Sequence, residues 1–471
     1  MCNRTIAPCG GRWYNGNKPP KDVEYMANKT DFSQGSVKKR IIAQAIPLTL
    51  AQAVQLLYNI VDRIYIGHLD QVGNLALTGL GITFPVIVII AAFTNLYGSG
   101  GVTLFSIARG EGKQEEAERL LGNVFTLLTV SAAVLFLFCY CLRRPILFLF
   151  GASEQSFFYA DQYLRIYLFG TLFSMITTGL NSYINAQGFP TMGMCTTLLG
   201  AVLNILLDPL FIFVLDMGVA GAALATVISQ AASAVWVLCF LTGRKAVVRL
   251  RRDRLGISLS RTRRILSLGL PGFVMQGTNS LVSIVCNNQL QRYGGDLYVG
   301  IMTVLSSVRE MVSLPVSGLS QGAQPVMGFN YGAKAYGRVK EAIRFTSVLG
   351  AVYTLIAWFV VMMIPRTLIG VFTSEPETIA AGAKMLNIYF FGFFFMSFQF
   401  SGQITFQALG RAKQAIFFSL LRKAIIVVPL TLLLPLLGLG VDGVFWAEPI
   451  SNALGGLAAF ITMWITVYRK L

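Results

Sequence analysis

Charged residues are scarce in this chain. Asp, Glu, Lys and Arg make up only 13% of its 471 residues, whereas 55% are hydrophobic and the mean hydropathy is +0.64. A soluble protein of this length would need a far more charged surface. Long apolar runs recur along the whole chain, without the alternation that is typical of a membrane β-barrel. The composition therefore predicts an all-α polytopic membrane protein.

Chemical motifs are also few. The seven cysteines have neither zinc-site nor redox spacing, and His68 is the only histidine. The glycine run at 98–101 lies in an apolar segment and lacks the Lys-Ser/Thr of a nucleotide-binding loop, so it predicts close helix packing. No nucleophile with a base, metal cluster or ATPase domain is recognisable. We predict neither an enzyme nor a bound cofactor, so any pumping must draw on an ion gradient.

The net charge of +17 could indicate a nucleic-acid partner. The basic residues, however, gather in short segments between the apolar runs, above all at 244–264. This distribution is typical of cytoplasmic loops that obey the positive-inside rule. We therefore predict a lipid bilayer as the surrounding partner, and no nucleic acid.

Twelve apolar runs are long enough to form membrane-spanning helices. They lie near residues 41–67, 76–105, 119–142, 157–185, 192–215, 219–242, 265–291, 298–327, 340–364, 379–407, 414–437 and 442–467. Basic residues precede the first run and follow the last, and an even number of crossings places both termini in the cytoplasm. The expected location is the plasma membrane.

These runs divide the chain into four parts. Residues 1–35 are polar, lack the apolar core of a signal peptide and predict a disordered cytoplasmic tail, in which Met26 could be the true start. Residues 36–243 predict a first lobe of six helices. Residues 244–264 form a basic cytoplasmic linker, and residues 265–471 predict a second lobe of six helices.

The two lobes repeat each other in sequence. The segment Ile166 to Gly170 recurs as Ile388 to Gly392, and Gly218 to Gly221 recurs as Gly440 to Gly443, at offsets of 222 residues. Since each lobe has six helices, both lobes have the same orientation in the membrane. They should be related by a pseudo-twofold axis along its normal and enclose a central cavity.

Four polar residues distinguish the first lobe from the second. The repeat aligns Asp62 with Cys286, Asn204 with Ile426, Asp208 with Leu430, and Thr226 with Glu448. Asn204 and Asp208 are four residues apart and share a helix face. Two carboxylates in a low dielectric could take up and release a proton or, when ionised, hold Na⁺. The simpler alternative is that Asp62 pairs with Arg63 and that Asp208 caps its helix or faces water.

The second lobe has charges of its own: Arg309, Glu310, Arg422, Lys423 and Glu448. Buried charges normally pair, so Lys423 or Arg422 is expected to contact Glu448 across helices. Such a pair predicts a structural latch, with a role in transport as the alternative.

Three motifs together resemble one family. Tyr58 to Asp62 with the preceding Pro47, Asn204 to Pro209, and Gly221 to Thr226 are similar to the multidrug and toxic compound extrusion (MATE) family, in particular its prokaryotic DinF-type and MepA-type branch. The resemblance covers about residues 36 to 470. It implies twelve helices in two bundles that form a V, and a monomer that exports small cationic and amphipathic compounds in exchange for H⁺ or Na⁺.

The resemblance also implies roles for particular residues. The implied cation site consists of Asp62, Asn204, Asp208 and Thr226. Protonation or ion binding at Asp62 would bend the first helix near Pro47 and reshape the cavity. The implied cavity lining is Gln55, Tyr58, Tyr163 and Asn181.

The second-lobe ion site of the family's other large branch is in doubt here. The seventh helix has Gln276 and Cys286 but no acid. The candidates that remain in this lobe are Gln276, Lys423 and Glu448.

Two other functions share this architecture or its composition. A flippase for lipid-linked oligosaccharides has the same kind of fold, but it is often larger and has a strongly cationic cavity. The acidic first lobe counts against that reading. A receptor or scaffold that transports nothing would have no need of the internal symmetry.

Overall fold

The computed structural model describes residues 31–67, 73–372 and 375–471. These residues are helical almost throughout and include no strand. Met26 and His68 lie outside the described residues, so the expectation that Met26 could be the true start stays a prediction.

Twelve long helical segments, α1 to α12, follow one another along the chain. Their bounds are α1 Val37–Gly67, α2 Gly73–Gly110, α3 Gln114–Cys141, α4 Glu154–Phe169 with Thr171–Ala186, α5 Pro190–Pro209 with Leu210–Val214, α6 Gly218–Thr242, α7 259–294, α8 296–332, α9 Tyr336–Met363, α10 Pro376–Phe390 with Met396–Ala408, α11 Ala412–Leu420 with Leu421–Val427, Val428–Leu434 and Pro435–Leu439, and α12 Gly440–Met463 with Trp464–Tyr468. Short helices lie between them at Arg143–Leu149, Arg252–Arg254, Pro365–Gly370 and, within α10, Phe393–Phe395. We call α1–α6 the first half and α7–α12 the second half.

Glycines mark where long helical stretches divide. Helical hydrogen bonds run through residues 259–332, but the backbone breaks at Gly295, whose φ of +68° favours glycine. A straight helix of that length would measure about 110 Å, more than three bilayer cores, so the stretch crosses twice. Gly438 and Gly440, with φ of +91° and +50°, divide residues 412–468 in the same way.

The predicted number of crossings is confirmed. Nine stretches of the described residues are long and apolar enough to span a membrane. Two of these stretches hold two crossings each, and α4, which is interrupted at Gly170, adds another. The protein is therefore an all-α, twelve-helix membrane protein.

The buried apolar side chains form three clusters. The largest belongs mainly to the first half, but it also includes Ile265 from the start of α7. The other two belong mainly to the second half, yet one of them includes Val37, Ile41 and Ala45 from the start of α1. Helix α1 therefore begins against the second half and ends in the core of the first.

Residues 31–35 differ from the predicted disordered tail. Phe32 is only 1% exposed. Its carbonyl oxygen accepts hydrogen bonds from Asn330 Nδ2 at 3.1 Å and from Arg338 Nη2 at 2.9 Å. A buried aromatic ring and a doubly bonded carbonyl fix this segment, which the polar composition of its neighbours did not reveal. Residues 1–30 lie outside the described part.

Glycines allow the two halves to touch backbone to backbone. A Cβ at Gly269 would collide with the Leu96 carbonyl, and one at Gly332 would collide with the Ile107 carbonyl. In the glycine run of α2, Gly100 meets α7 in the same way. Small residues permit this close approach, so the prediction of helix packing at 98–101 is confirmed. These contacts lie toward the membrane side on which α2 and α8 end.

The basic linker packs against the start of α3. Arg261 forms a two-pronged ion pair with Glu116, with nitrogen–oxygen distances of 2.8 and 3.1 Å. Arg254 lies 2.7 Å from Glu115. The linker is thus fastened to the first half by charged groups at the membrane boundary.

Candidate functional site

A cluster of polar side chains is buried between α5 and α6. Asn204 Nδ2 donates to Asp208 Oδ1 at 3.1 Å and to Thr226 Oγ1 at 3.4 Å. The Thr226 hydroxyl donates to the Ala222 carbonyl at 3.0 Å. The i, i+4 spacing places Asn204 and Asp208 on one helix face, as predicted. Three of the four candidate ion-site residues are therefore connected directly.

Two oxygens in this cluster lack a donor. Asp208 is 0% exposed and Asn204 is 2% exposed. Asp208 Oδ2 and Asn204 Oδ1 have no hydrogen-bond partner among the described residues. A buried oxygen without a donor costs free energy, and a bound proton or cation would offset that cost. The alternative that Asp208 faces water is wrong, because its side chain is fully enclosed.

Asp62 approaches this cluster from α1. It lies within electrostatic range of Asp208 and of Tyr163, and it lines the same cavity as Tyr163 and Thr226. Helices α1, α4, α5 and α6 thus bring the two carboxylates into one region. The side chain of Arg63, the alternative partner of Asp62, is not among the described ones.

A cavity of about 900 Å³ opens beside the cluster. Its lining contains every predicted cavity residue and three of the ion-site residues, namely Gln55, Tyr58, Tyr163, Asn181, Asp62, Asn204 and Thr226. Asp62 is the only carboxylate in the lining that the structure describes, and no Lys or Arg is present there. We call this space the acidic cavity.

Pro47 lies on the same helix, about 22 Å before Asp62. Helix α1 continues through it without interruption. Because proline removes one helical hydrogen bond, this turn is the weakest point along α1. Leu48, the next residue, lines the acidic cavity.

The second half has a charged cluster instead. Glu448 Oε1 lies 2.7 Å from Arg309 Nη2, 2.9 Å from Arg422 Nη1 and 3.2 Å from Lys423 Nζ. The expected contact of Lys423 or Arg422 with Glu448 is confirmed, and both make it. The sequence did not reveal Arg309 as a third partner, because it comes from another helix, α8.

A second cavity, of about 880 Å³, contains this cluster. Its lining includes Arg309, Arg422, Lys423, Glu448 and the predicted candidate Gln276. Glu310 also lines it. We call this space the cationic cavity.

The two cavities adjoin at the centre of the molecule. Five residues line both of them: Leu48, Asn95, Ser182, Asn185 and Gln321. These residues come from both halves. The result is one continuous polar interior with an acidic side and a cationic side.

Two matching six-helix halves around a polar interior are the architecture of a membrane transporter of the MATE type. The MatE family model matches residues 47–210 and 271–433, one stretch in each half. The chain therefore belongs to the MatE family, whose members are transporters.

Curated relatives and solved structures agree with this assignment. The chain is 26% identical over 442 residues to the multidrug export protein MepA of Staphylococcus haemolyticus, covering 92% of this chain and 94% of the relative. It is 25% identical over 438 residues to MepA of Staphylococcus aureus, covering 92% and 95%.

Among solved structures, a MATE protein in the bent conformation superposes with a TM-score of 0.88 at 22% identity, covering 94% of this chain and 98% of the other. An outward-facing multidrug resistance MATE transporter of the MOP superfamily superposes with a TM-score of 0.86 at 22% identity, covering 97% and 100%. These likenesses show the shared fold.

Proposed function

We propose that the protein is a secondary active antiporter that exports cationic and amphipathic compounds in exchange for H⁺ or Na⁺. The observation that carries the proposal is the buried Asn204–Asp208–Thr226 cluster, whose free oxygens lie beside Asp62 and a cavity whose described lining contains no Lys or Arg. A buried carboxylate in a membrane protein is costly and usually functional. The curated relatives named as multidrug export proteins support the substrate class.

The coupling follows from the charge of the acidic cavity. With Asp62 ionised, the cavity attracts a cationic substrate. When H⁺ or Na⁺ binds, it offsets that charge and weakens the hold on the substrate. Two like charges at close range cannot both remain ionised cheaply in a low dielectric, so the site favours uptake of a cation whenever the substrate leaves. Ion and substrate therefore compete for one carboxylate region.

Helix α1 would transmit this change. It presents Asp62 to the ion site and contains Pro47 nearer its start. Ion binding alters the contacts of Asp62, and bending at the proline would move the adjoining wall of the cavity. We propose Pro47 as the position of that bend.

The orientation follows from the basic loops. Both termini and the 244–264 linker then lie in the cytoplasm, as the positive-inside rule favours. We further propose that the protein is a monomer in the plasma membrane. The glycine contacts at Gly100, Gly269 and Gly332 then lie on the cytoplasmic side. In this conformation the two lobes, 36–243 and 265–471, are closed toward the cytoplasm.

Flux in proteoliposomes tests the proposal. The purified protein is reconstituted, and efflux of a fluorescent cation is recorded under separately imposed H⁺ and Na⁺ gradients. One of the two gradients should drive transport, and Asp62→Asn should abolish it while the protein remains folded. Gradient-driven transport at the wild-type rate by Asp62→Asn would refute the role of this carboxylate.

A flippase for lipid-linked oligosaccharides is the second candidate. The cationic cavity favours it, because Arg309, Arg422 and Lys423 suit a phosphate group. The acidic cavity counts against it, since a polyanionic head group would be repelled by Asp62. Transfer of a labelled lipid diphosphate between leaflets, with no ion-driven dye efflux, would favour this candidate.

A further inference from the structure

The cationic cavity contains more positive charge than its partner can balance. Arg309, Arg422 and Lys423 all lie within 3.2 Å of Glu448. Their side chains are 19%, 9% and 6% exposed, and that of Glu448 is 6% exposed. One carboxylate offsets one cation. Each further buried charge at membrane depth costs about 2.5 kcal/mol or more, so a structural latch does not need three cations.

The local backbone brings two of these cations together. Arg422 and Lys423 are neighbours in sequence and would point about 100° apart on a regular α-helix. Here they lie in the π-helical turn Leu421–Val427, and both reach Glu448. π-Helical turns are rare overall, but those that occur often lie at functional sites.

One donor in the cluster remains unused. Arg422 is 7% exposed, and its Nη1 donates to both Glu448 and Asn452 at 2.9 Å. Its Nε has no hydrogen-bond partner among the described residues. A buried guanidinium nitrogen without an acceptor is costly. Arg422 and Lys423 both line the cavity, so a ligand oxygen can reach them.

The charge of the cavity fixes the kind of ligand. Glu310, which is exposed on the cavity wall, adds a second negative charge to that of Glu448. The described lining therefore has one more positive than negative charge. A single oxyanion such as a carboxylate balances this excess, whereas a diphosphate would overcompensate it. In the adjoining acidic cavity, Asp62 matches a single cation.

We propose that the cationic cavity binds the carboxylate of a zwitterionic amphiphile through Arg422 and Lys423, while the cationic group of the same molecule lies toward Asp62. This inference rests on the proposed export of amphipathic compounds and narrows their class. Asn95, Asn185 and Gln321 line both cavities, so the two ends of one molecule can lie in adjoining spaces of opposite charge.

A matched pair of dyes tests the inference. Rhodamine B has a cationic ring system and a free carboxylate, and its ethyl ester keeps the cation but has no carboxylate. Binding of each dye to the full-length protein in nanodiscs is measured by fluorescence polarisation. We expect the acid to bind about tenfold more tightly than the ester, because the acid makes a charge-assisted hydrogen-bonded contact that the ester cannot make.

Two variants change this preference in opposite directions. Lys423→Gln should lower the acid-to-ester affinity ratio about tenfold, because one of the carboxylate's ligands is lost. Glu310→Gln removes a negative charge from the same cavity and should raise the ratio. Equal binding of the two dyes by the wild type, or an unchanged ratio in folded Lys423→Gln, overturns the inference.

Separate control experiments test whether the variants fold and whether the proposed antiport takes place. In Lys423→Gln, Glu448 keeps Arg309 and Arg422, so the thermal unfolding midpoint should stay close to that of the wild type. Arg422→Gln should also lower the acid-to-ester ratio. If that variant proves unstable, the ratio in Lys423→Gln still decides. Efflux of the ester by the wild type and by Asp62→Asn reports on antiport alone. A failure of antiport is therefore distinguishable from a failure of carboxylate binding.

Discussion

The two halves share a helical plan but differ in charge at corresponding positions. Asp62 lines the acidic cavity, and its aligned residue Cys286 lines the cationic one. Thr226 and Glu448 correspond in the same way. The repeat thus delivers side chains to equivalent places in the two halves. The two halves differ in the residues at these positions and not in their helical scaffold.

The cations of the second half show this most clearly. At the same offset, Arg422 and Lys423 correspond to Gly200 and Ala201, which line the acidic cavity. Two small, uncharged residues occupy this wall in the first half. Two long basic residues fill the equivalent wall in the second. A duplicated membrane protein can therefore acquire opposite polarities on its two sides without a change of fold.

The largest effect on transport is expected from variants of the acidic cavity. Asp62→Asn and Asp208→Asn should each lower ion-driven efflux at least about a hundredfold, because the site can no longer exchange a proton or cation. Cys286→Ser, at the position that corresponds to Asp62, should leave the rate within about twofold. Proteoliposome flux measures all three. Comparable losses of transport in the Asp and Cys variants would show that ion coupling is not confined to the first half.

The next effect concerns stability on the cationic side. Glu448→Gln leaves three buried cations without their carboxylate and should cost about 3–5 kcal/mol of unfolding free energy. Thr226→Val, at the corresponding position, loses one hydrogen-bonded hydroxyl and should cost about 1 kcal/mol. Thermal unfolding in detergent compares the two. A smaller loss of unfolding free energy for Glu448→Gln than for Thr226→Val would contradict the inference that three buried cations share this one carboxylate.

A third test concerns the contact between the halves. Gly269→Ala places a methyl group against the Leu96 carbonyl, so the closed end must separate, and transport should fall about tenfold. Gly277→Ala lies on the same helix with open space around its Cβ and should transport normally. Cysteine labelling near the closed end reports the separation. Identical labelling of both variants would mean that this contact does not control closure.

The smallest effect is expected at the linker. Glu116→Gln removes the ion pair with Arg261, which is partly exposed, and should cost about 1 kcal/mol or less. Salt should reduce the difference from the wild type further. Unfolding at low and high ionic strength checks this. A large loss that is insensitive to salt would instead indicate a buried structural role.

The sequence predicted what depends on local pattern. Apolar runs of sufficient length predicted the twelve helices, and the spacing of Asn204 and Asp208 predicted their shared helix face. The internal repeat gave the two halves. Each of these features can be read from residues close in the chain or from one fixed offset.

Features that depend on packing between helices were not predictable in the same way. Arg309 contacts Glu448 across 139 positions of the chain, and only the packing of α8 against α12 brings them together. The carbonyl of Phe32 accepts hydrogen bonds from Asn330 and Arg338, which lie 298 and 306 positions away in sequence. The cavity lining at Gln55, Tyr58, Tyr163 and Asn181 came from the family resemblance, since no pattern in the chain singles these residues out.

The course of α1 has a mechanical consequence. Its first turns are anchored to the second half beside the clasp that Asn330 and Arg338 form on Phe32, and its last turns, at Ile66, are embedded in the core of the first. A rod fixed to two bodies must flex or slip when those bodies rotate apart. Any rocking of the halves therefore strains α1, the helix on which Asp62 lies.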